Sequence, residues 1–268
     1  MRSSLITTLL SSEKRTDLLL FLMEKPRTIE EINEVLETNS VAILPQLKKL
    51  KECELVVQEN KAYTLSLLGR IIVRKMEPLV KAFKLLEDNY DYWSGSKPGR
   101  IPPAFFKQMD KLVTYMPGRY HGDDSSCMYS EMTKAFDETK KLSLIISNTN
   151  PRYAKICAEH AGKGGKISVI LTQPVFEVYE SKFKKELETL LLHENSEIYL
   201  LEKNLIPPLI AVTDTMVLTC FASGDSSDEN KSIVSFGEEA VKWGTELIEY
   251  FKVFAEPFPP TPVTPAVS

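Results

Sequence analysis

The sequence predicts an α+β winged helix-turn-helix domain at the N-terminus, a helical connector, and a C-terminal α/β domain with a largely parallel sheet. Three observations predict it. Two short amphipathic segments flank a tight polar turn, a hairpin pattern follows them directly, and from about Tyr129 helical and strand patterns alternate. Such alternation is the grammar of parallel strands joined by helices.

Glu13 to Met23 reads as the first core helix. Thr28 to Leu36 reads as the second, with Ile29, Ile32, Val35 and Leu36 apolar. Its start, Thr28-x-x-Glu31, is a capping box, in which each side chain satisfies an orphan amide of the first turn. Glu37-Thr38-Asn39 makes the turn. The next helix, Ser40 to Lys51, places Val41, Leu44, Leu47 and Leu50 on one face. Pro45 removes the amide that would bond Val41, so a slightly opened helix is expected there, with the ring on the groove side. Leu55-Val56-Val57, the turn Gln58 to Lys61 and Tyr63-Thr64-Leu65 form the hairpin. This order leaves the second helix of the pair free to enter a major groove.

Ser66 to Tyr90 is strongly helical, with Leu68, Ile72, Met76, Leu79, Phe83, Leu86 and Tyr90 spaced by fours and threes. The stripe fits either intramolecular packing or a dimer seam, and Pro78 predicts a kink near Glu77. Asp91 to Pro103, dense in Gly, Ser and Pro, reads as a linker. A helix carrying Phe105, Phe106, Met109 and Leu112 follows.

In the α/β part, a helix from Ser130 to Lys140 leads into the strand Leu142 to Ile146. Ala154 to His160 is helical, with Gly162 as its left-handed stop. Ile167 to Leu171 is a strand, Phe183 to Leu192 a helix and Glu197 to Leu201 a third strand. Leu209 to Val212 and Met216 to Phe221 pair as a hairpin turning at Asp214-Thr215. The last helix opens on a second capping box, Ser235-x-x-Glu238. The proline-rich tail from Glu256 should be extended and mobile. The expected domains are residues 1–65 (winged helix), 66–100 (connector and linker), 101–256 (effector-sensing domain) and 257–268 (disordered tail).

The 268 residues, 43% hydrophobic and 26% charged, are ordinary for a soluble protein. No apolar run reaches the roughly 20 residues that span a bilayer, and the N-terminus lacks a signal-peptide pattern, so a cytoplasmic location without a membrane partner is expected. Four cysteines and three histidines are widely scattered, so no metal site is expected. Net charge is −4, yet residues 1–75 hold 12 Lys and Arg against 10 Asp and Glu, a net of +2. Lys48, Lys49 and Lys51 gather at the end of the second helix of the pair, and Lys61 sits at the hairpin tip. A local basic face binds phosphates even on an acidic protein.

Enzyme motifs are missing. Gly162-Lys163-Gly164-Gly165-Lys166 lacks the Gly at 160 and the Ser or Thr at 167 that a phosphate loop requires, and it lies between a helix and a strand in the wrong order. No nucleophile elbow or HExxH occurs. The reading is therefore a non-enzyme without a cofactor. Base contacts are assigned to the outward positions Asn39, Ser40, Ile43 and Gln46, since Gln bonds adenine and Ile packs on a thymine methyl. Backbone phosphates fall to Lys48, Lys49, Lys51 and Lys61. A small-molecule or protein effector is placed at the carboxyl ends of the parallel strands, on Ser147, Asn148, Thr149, Thr172 and Gln173, with Asp214 approaching the same rim.

Residues 13–75, above all Tyr63-Thr64-Leu65-Ser66-Leu67-Leu68-Gly69-Arg70, resemble archaeal winged-helix regulators related to the arsenical-repressor family. Their wing ends in Tyr-x-Leu-Thr-x-x-Gly, and here Ser66 replaces the Thr. Ile101-Pro102-Pro103-x-Phe105-Phe106 and Phe236-x-x-Glu239-Ala240-Val241-x-Trp243-Gly244-x-x-Leu247-x-x-Tyr250-Phe251 resemble the effector domain of the methanogenesis-regulatory family of methanogenic archaea. Ser96-Lys97 stand where that family often has a His-Asp pair. The resemblance implies a one-component transcriptional regulator binding double-stranded DNA, with methanogenesis genes as targets. A homodimer with much of its interface on Leu68–Tyr90 is expected, because one winged helix covers few base pairs. The alternative reading is a winged-helix protein-interaction module that does not bind DNA.

Overall fold

The computed structural model describes residues 5–88, 90, 101–112, 125–202, 207–220 and 233–258. Most of the linker expected at Asp91–Pro103, with Ser96-Lys97, and all but the start of the proline-rich tail lie outside these residues. The chain forms two compact units, one ending at Phe83 and the other beginning at Lys84.

The first unit contains α1 (Leu5–Leu10), α2 (Glu13–Phe21), α3 (Ile29–Val35), α4 (Ser40–Glu52), β1 (Val56–Glu59), β2 (Ala62–Leu65) and most of α5 (Leu67–Asp88). Leu18, Leu19 and Phe21 of α2, Ile32 of α3, Ile43, Leu47 and Leu50 of α4, and Val73 and Met76 of α5 share one core with Leu55, Tyr63 and Leu65 of the hairpin. Burying an aliphatic or aromatic side chain of this kind contributes about 1.5–3 kcal/mol, so this packing stabilises the unit more than any surface pair does. The Thr28 capping box forms as expected: the Thr28 hydroxyl accepts from the Glu31 amide at 3.3 Å, and the Glu31 carboxylate accepts from the Thr28 amide at 2.8 Å. The Asn39 side chain caps α4 by accepting from the Ala42 amide at 3.0 Å. A third strand segment escaped the sequence pattern, because Arg27 pairs with Tyr63 by a single bridge.

Glu59 faces Ala62 across the hairpin, so the connection is the two-residue turn Asn60-Lys61, with φ of 48° and 68°. Positive φ at both positions is the geometry whose twist matches paired strands. Lys61 occupies a place that glycine normally takes. Immediately after β2, Ser66 starts α5: its hydroxyl donates to the Glu54 carbonyl at 2.6 Å and accepts from the Gly69 amide at 3.0 Å. These two bonds need only a hydroxyl, which is why Ser serves here as well as Thr. α5 runs through Pro78 as one helix, and α4 runs likewise through Pro45.

The second unit is built on one sheet. Its elements are α6 (Pro103–Phe106), a 3₁₀ turn (Met109–Leu112), α7 (Ser125–Glu138), β3 (Lys141–Ile146), α8 (Pro151–Gly162), β4 (Lys166–Thr172), α9 (Gln173–Lys182), α10 (Lys184–Leu192), β5 (Ser196–Leu201), β6 (Leu209–Val212), β7 (Met216–Cys220), β8 (Ile233–Phe236), α11 (Glu238–Lys252) and β9 (Glu256–Pro257). The strand order is β8-β7-β6-β3-β4-β5-β9. Only β3–β4 and β4–β5 are parallel, whereas β3–β6, β6–β7, β7–β8 and β5–β9 are antiparallel. The sheet is thus mixed, which corrects the expectation of a largely parallel one. The hairpin β6–β7 docks on β3 and carries β8 with it, adding antiparallel strands at that edge.

Strand alternation divides the side chains between two cores. Leu144, Val169 and Ile198 pack with α8, α9 and α10 on one face. Ile145, Ile170 and Ile210 pack with α6 and α11 on the other. Trp243 of α11 is fully buried and donates from its indole nitrogen to the Phe105 carbonyl at 3.3 Å. The Lys252 ammonium, in the last turn of α11, pairs with Glu197 of β5 at 2.9 Å and lies 4.3 Å from the Tyr199 ring centre.

Two helix ends differ from the sequence expectation. Ser235 lies in β8, and α11 starts after Gly237, whose φ of 98° turns the chain two residues beyond the supposed capping serine. Gly162 is the last residue of α8, and the left-handed position is Gly164, with φ of 80°.

His160, near the end of α8, is 7% exposed, and its Nε2 lies 3.2 Å from the Lys166 carbonyl. Burial pushes its pKa below the ordinary imidazole value. The unfolded chain takes up a proton near pH 6.5 that the folded ring resists. The stability this creates is present above that pH and is lost as the pH falls through the lower folded value. We expect thermal scans at successive pH to show His160→Gln, which keeps a donor toward Lys166, flattening the loss of stability between about pH 7 and 5. Identical pH slopes for wild type and variant would show that the ring titrates freely.

Candidate nucleic-acid interface

α3, the turn through Glu37 (φ 46°), and α4 form the helix-turn-helix, with β1–β2 as the wing. The phase of α4 decides which side chains a partner meets. Ile43, Leu47 and Leu50 are turned into the core, with Ile43 only 1% exposed. This corrects the assignment of Ile43 to base contact: it anchors the helix from below. Val41 is 84% exposed and Leu44 46%, although the sequence pattern placed both in the core stripe. Pro45 and Lys48 are also exposed. The outer ridge of α4 is therefore Val41, Leu44, Pro45 and Lys48, the i, i+3, i+4, i+7 set that shares one side of a helix.

The other assigned contacts divide. The Asn39 carbonyl oxygen is committed to the cap, and the Ser40 hydroxyl accepts from the Asn33 amide at 2.8 Å. Both residues thus spend an oxygen acceptor within the unit and keep only donors, the Asn39 amide nitrogen and the Ser40 hydroxyl, for a base edge. Gln46 and Lys49 are half-buried at the sides of the helix, while Lys48, Lys51 and Lys61 are exposed. The Lys51 ammonium donates to the Gln58 side chain at 3.0 Å, which ties the end of α4 to the wing. Gln58 was not singled out from the sequence; its alternation with Val57 along β1 was the available signal.

The expected effector rim is only partly assembled. Ile146 pairs with Leu171, so Ser147 and Thr172 follow side by side at the carboxyl ends of β3 and β4. There the Ser147 hydroxyl donates to the Pro207 carbonyl at 3.0 Å, and the Asn148 side chain accepts from the Asn150 amide at 3.3 Å. Thr149 is exposed, Gln173 donates to Glu177 at 3.4 Å, and Thr172 is buried at the head of α9. Asp214 does not join them. It accepts from the Lys140 amide at 2.7 Å, and its own amide donates to Thr139, so it sits at the amino end of β3. Six strand residues, about 20 Å, separate it from Ser147. The sheet also offers no switch point at this rim. β3, β4 and β5 lie in sequential order, and the neighbour of β3 on the other side is antiparallel β6, so no pair of crossovers diverges to open a crevice.

Among the described residues, no group of His, Cys, Asp and Glu could hold a metal ion, and no helix is long and apolar enough to cross a membrane. Cys157 is wholly buried, and burial pushes its thiol up to about 12, which leaves it unreactive.

A model of the N-terminal domain of the methanogenesis regulatory protein FilR1 matches residues 3–84, and a model of its middle domain matches residues 127–253. The chain matches FilR1 in two successive domains. Over 245 residues it is 22% identical to the methanogenesis regulatory protein FilR1 of Methanothrix harundinacea (strain 6Ac), covering 90% of this chain and 55% of that protein. The chain thus spans about half the length of the curated relative it matches. The α/β unit, expected to correspond to a C-terminal effector domain, corresponds to the FilR1 middle domain. Among solved structures, TrmBL2, described as an archaeal chromatin protein with a novel mode of DNA binding, is 11% identical, with coverage of 91% of this chain and 94% of that one and a TM-score of 0.33. An O-methyltransferase family protein from Burkholderia thailandensis is 15% identical, covering 76% and 65%, with a TM-score of 0.22. Likenesses this loose carry no functional weight.

Proposed function

We propose that the chain is a one-component transcriptional regulator that binds double-stranded DNA through its winged helix and controls methanogenesis-related genes. The observation that carries this reading is the outer side of α4 and the wing. A helix-turn-helix presents an exposed ridge, with lysines at its end and at the tip of the hairpin beside it. Lys61 supports it further. A non-glycine residue in the left-handed region costs about 1–2 kcal/mol, and such strain is kept where the side chain has a task. A cation at the tip of a wing has an evident one, the phosphate backbone. The two FilR1 domain models, matched in chain order, support the regulatory assignment.

In this reading residues 1–65 bind DNA, 66–100 connect and dimerise, 101–256 sense an effector, and 257–268 form a tail. The effector is assigned to the rim of Ser147, Asn148, Thr149, Thr172 and Gln173. No cofactor and no catalysis are invoked.

Salt dependence tests the reading. Neutralising phosphates releases condensed counterions, so the logarithm of the association constant falls linearly with the logarithm of salt concentration. Binding of the purified chain to duplex DNA will show a steep slope of this kind. Lys48→Ala with Lys49→Ala will reduce it by about one unit for each phosphate left without its lysine. An unchanged slope in the double variant would exclude the end of α4 as the phosphate contact. The absence of salt-dependent binding by wild type would favour the protein-interaction reading.

A further inference from the structure

We infer that α4 recognises its DNA through thymine methyl groups more than through hydrogen bonds to base edges. The inference rests on the DNA-binding reading above and adds the chemistry of recognition. At the start of the helix the Asn39 oxygen caps the Ala42 amide and the Ser40 oxygen accepts from Asn33, so the Asn39 amide nitrogen and the Ser40 hydroxyl hydrogen are what these two residues still offer a base edge. What protrudes is apolar, with Val41 84% and Leu44 46% exposed and the Pro45 ring beside them. An exposed valine on the first turn of a helix gains nothing in the free protein, since its burial would be favourable and its exposure is not.

The surroundings say what covers this ridge. Lys48 continues the same side of the helix, Lys51 lies one turn further, and Lys61 tips the wing. An apolar ridge framed by cations has poor complementarity to an apolar protein surface of ordinary charge. It has good complementarity to a groove walled by phosphates and floored by methyl groups. In the major groove only thymine offers such a group, its C5 methyl, and aliphatic side chains pack on it. Pro45 contributes rigidity, since its ring has few conformations to lose on contact. The sites this chain prefers are therefore thymine-rich at the positions under the first two turns of α4.

Deoxyuridine tests this directly, because it lacks the methyl while keeping every hydrogen-bonding atom of thymine. Duplexes selected by the full chain from a random library should be enriched in T·A pairs at the contacted positions. Resynthesis with deoxyuridine there should weaken binding about fourfold per methyl removed, and roughly sixteenfold for two, on the ordinary worth of a buried carbon group. Val41→Ala with Leu44→Ala should bring the thymine-to-uracil affinity ratio toward one and leave the salt slope unchanged. Both side chains are exposed, so the variant keeps its fold, which circular dichroism verifies. Equal affinity of wild type for thymine and uracil duplexes, with salt-dependent binding intact, would overturn this inference and leave DNA binding standing. Failure to bind any duplex would overturn both.

Discussion

Gly69→Ala will cost the winged-helix unit about 3 kcal/mol, and the reason is a single close approach of two backbones. A Cβ built on Gly69 would lie 2.1 Å from the Leu55 carbonyl oxygen and 3.1 Å from its carbon. Neither backbone can move away cheaply. Leu55 is fully buried, its carbonyl accepts from the Ser66 amide at 3.0 Å, and its amide donates to the Leu50 carbonyl at 2.9 Å. Gly69 itself is held by the Ser66 hydroxyl. Shifting α5 outward would break those bonds and open the core around Val73 and Met76. Overpacking in well-packed interiors costs about 1–3 kcal/mol, and a clash with fixed backbone lies at the upper end. That is a large fraction of the roughly 5–15 kcal/mol that holds an ordinary domain together. Gly162→Ala provides the control: a Cβ there meets nothing within 4 Å, the residue is helical, and alanine should stabilise by about 0.5–1 kcal/mol. Thermal melting measures both, with hydrogen exchange of the α4 and α5 amides reporting Gly69→Ala and that of the α8 amides reporting Gly162→Ala. If Gly69→Ala melts like wild type, α5 does not rest on Leu55 as described.

The same close approach explains which parts of the molecule were legible in the sequence. The run Tyr63-x-Leu65-Ser66-x-x-Gly69 is local: a strand, a helix cap three residues long and a close approach, each set by its own residue type. The Thr28 capping box is equally local and was readable, whereas Asn39, assigned to a base contact from the sequence, caps α4. The phase of α4 was not. Its apolar residues at 41, 43, 44, 47 and 50 fit two overlapping stripes that share Leu47 and Leu50. Only the positions of α2 and α3, through Leu18, Leu19 and Ile32, turn Ile43 inward and leave Val41 outside. Nor was the sheet order legible. The pairing of β6 with β3, which sets Ile146 against Leu209, leaves no mark on local periodicity. β8 and β9 are short edge strands defined by their partners, and Ser235 mimics a cap that the turn at Gly237 supersedes. Asp214 followed the sheet: with β6 antiparallel to β3, its turn had to fall at the amino end.

Leu79→Glu with Phe83→Glu will separate the proposed dimer and reduce affinity for a duplex carrying two half-sites at least about a hundredfold. α5 buries Val73, Met76 and Val80 on one side and leaves Leu68, Ile71, Leu79 and Phe83 exposed on the other, Ile71 by 54% and Phe83 by 52%. We propose that a second copy covers the open side: Met76 of the fours-and-threes stripe turns into the core, but Leu79, Phe83, Leu86 and Tyr90 stay exposed and keep that spacing, which suits another copy of the same helix. One winged helix covers few base pairs, whereas two joined by such a seam bind the second half-site at high effective concentration. Avidity of this kind amounts to about 10²–10⁴ without any added interaction with DNA. Carboxylates at 79 and 83 would face their counterparts across the axis and would have to be desolvated there, which disrupts the seam. Both positions are surface-exposed in the single chain, so the fold is retained. Sedimentation will then show a monomer, the salt slope on the two-half-site duplex will fall by about half, and binding to a single half-site will change little. A wild-type chain that sediments as a monomer at micromolar concentration would refute the seam and transfer recognition to one winged helix alone.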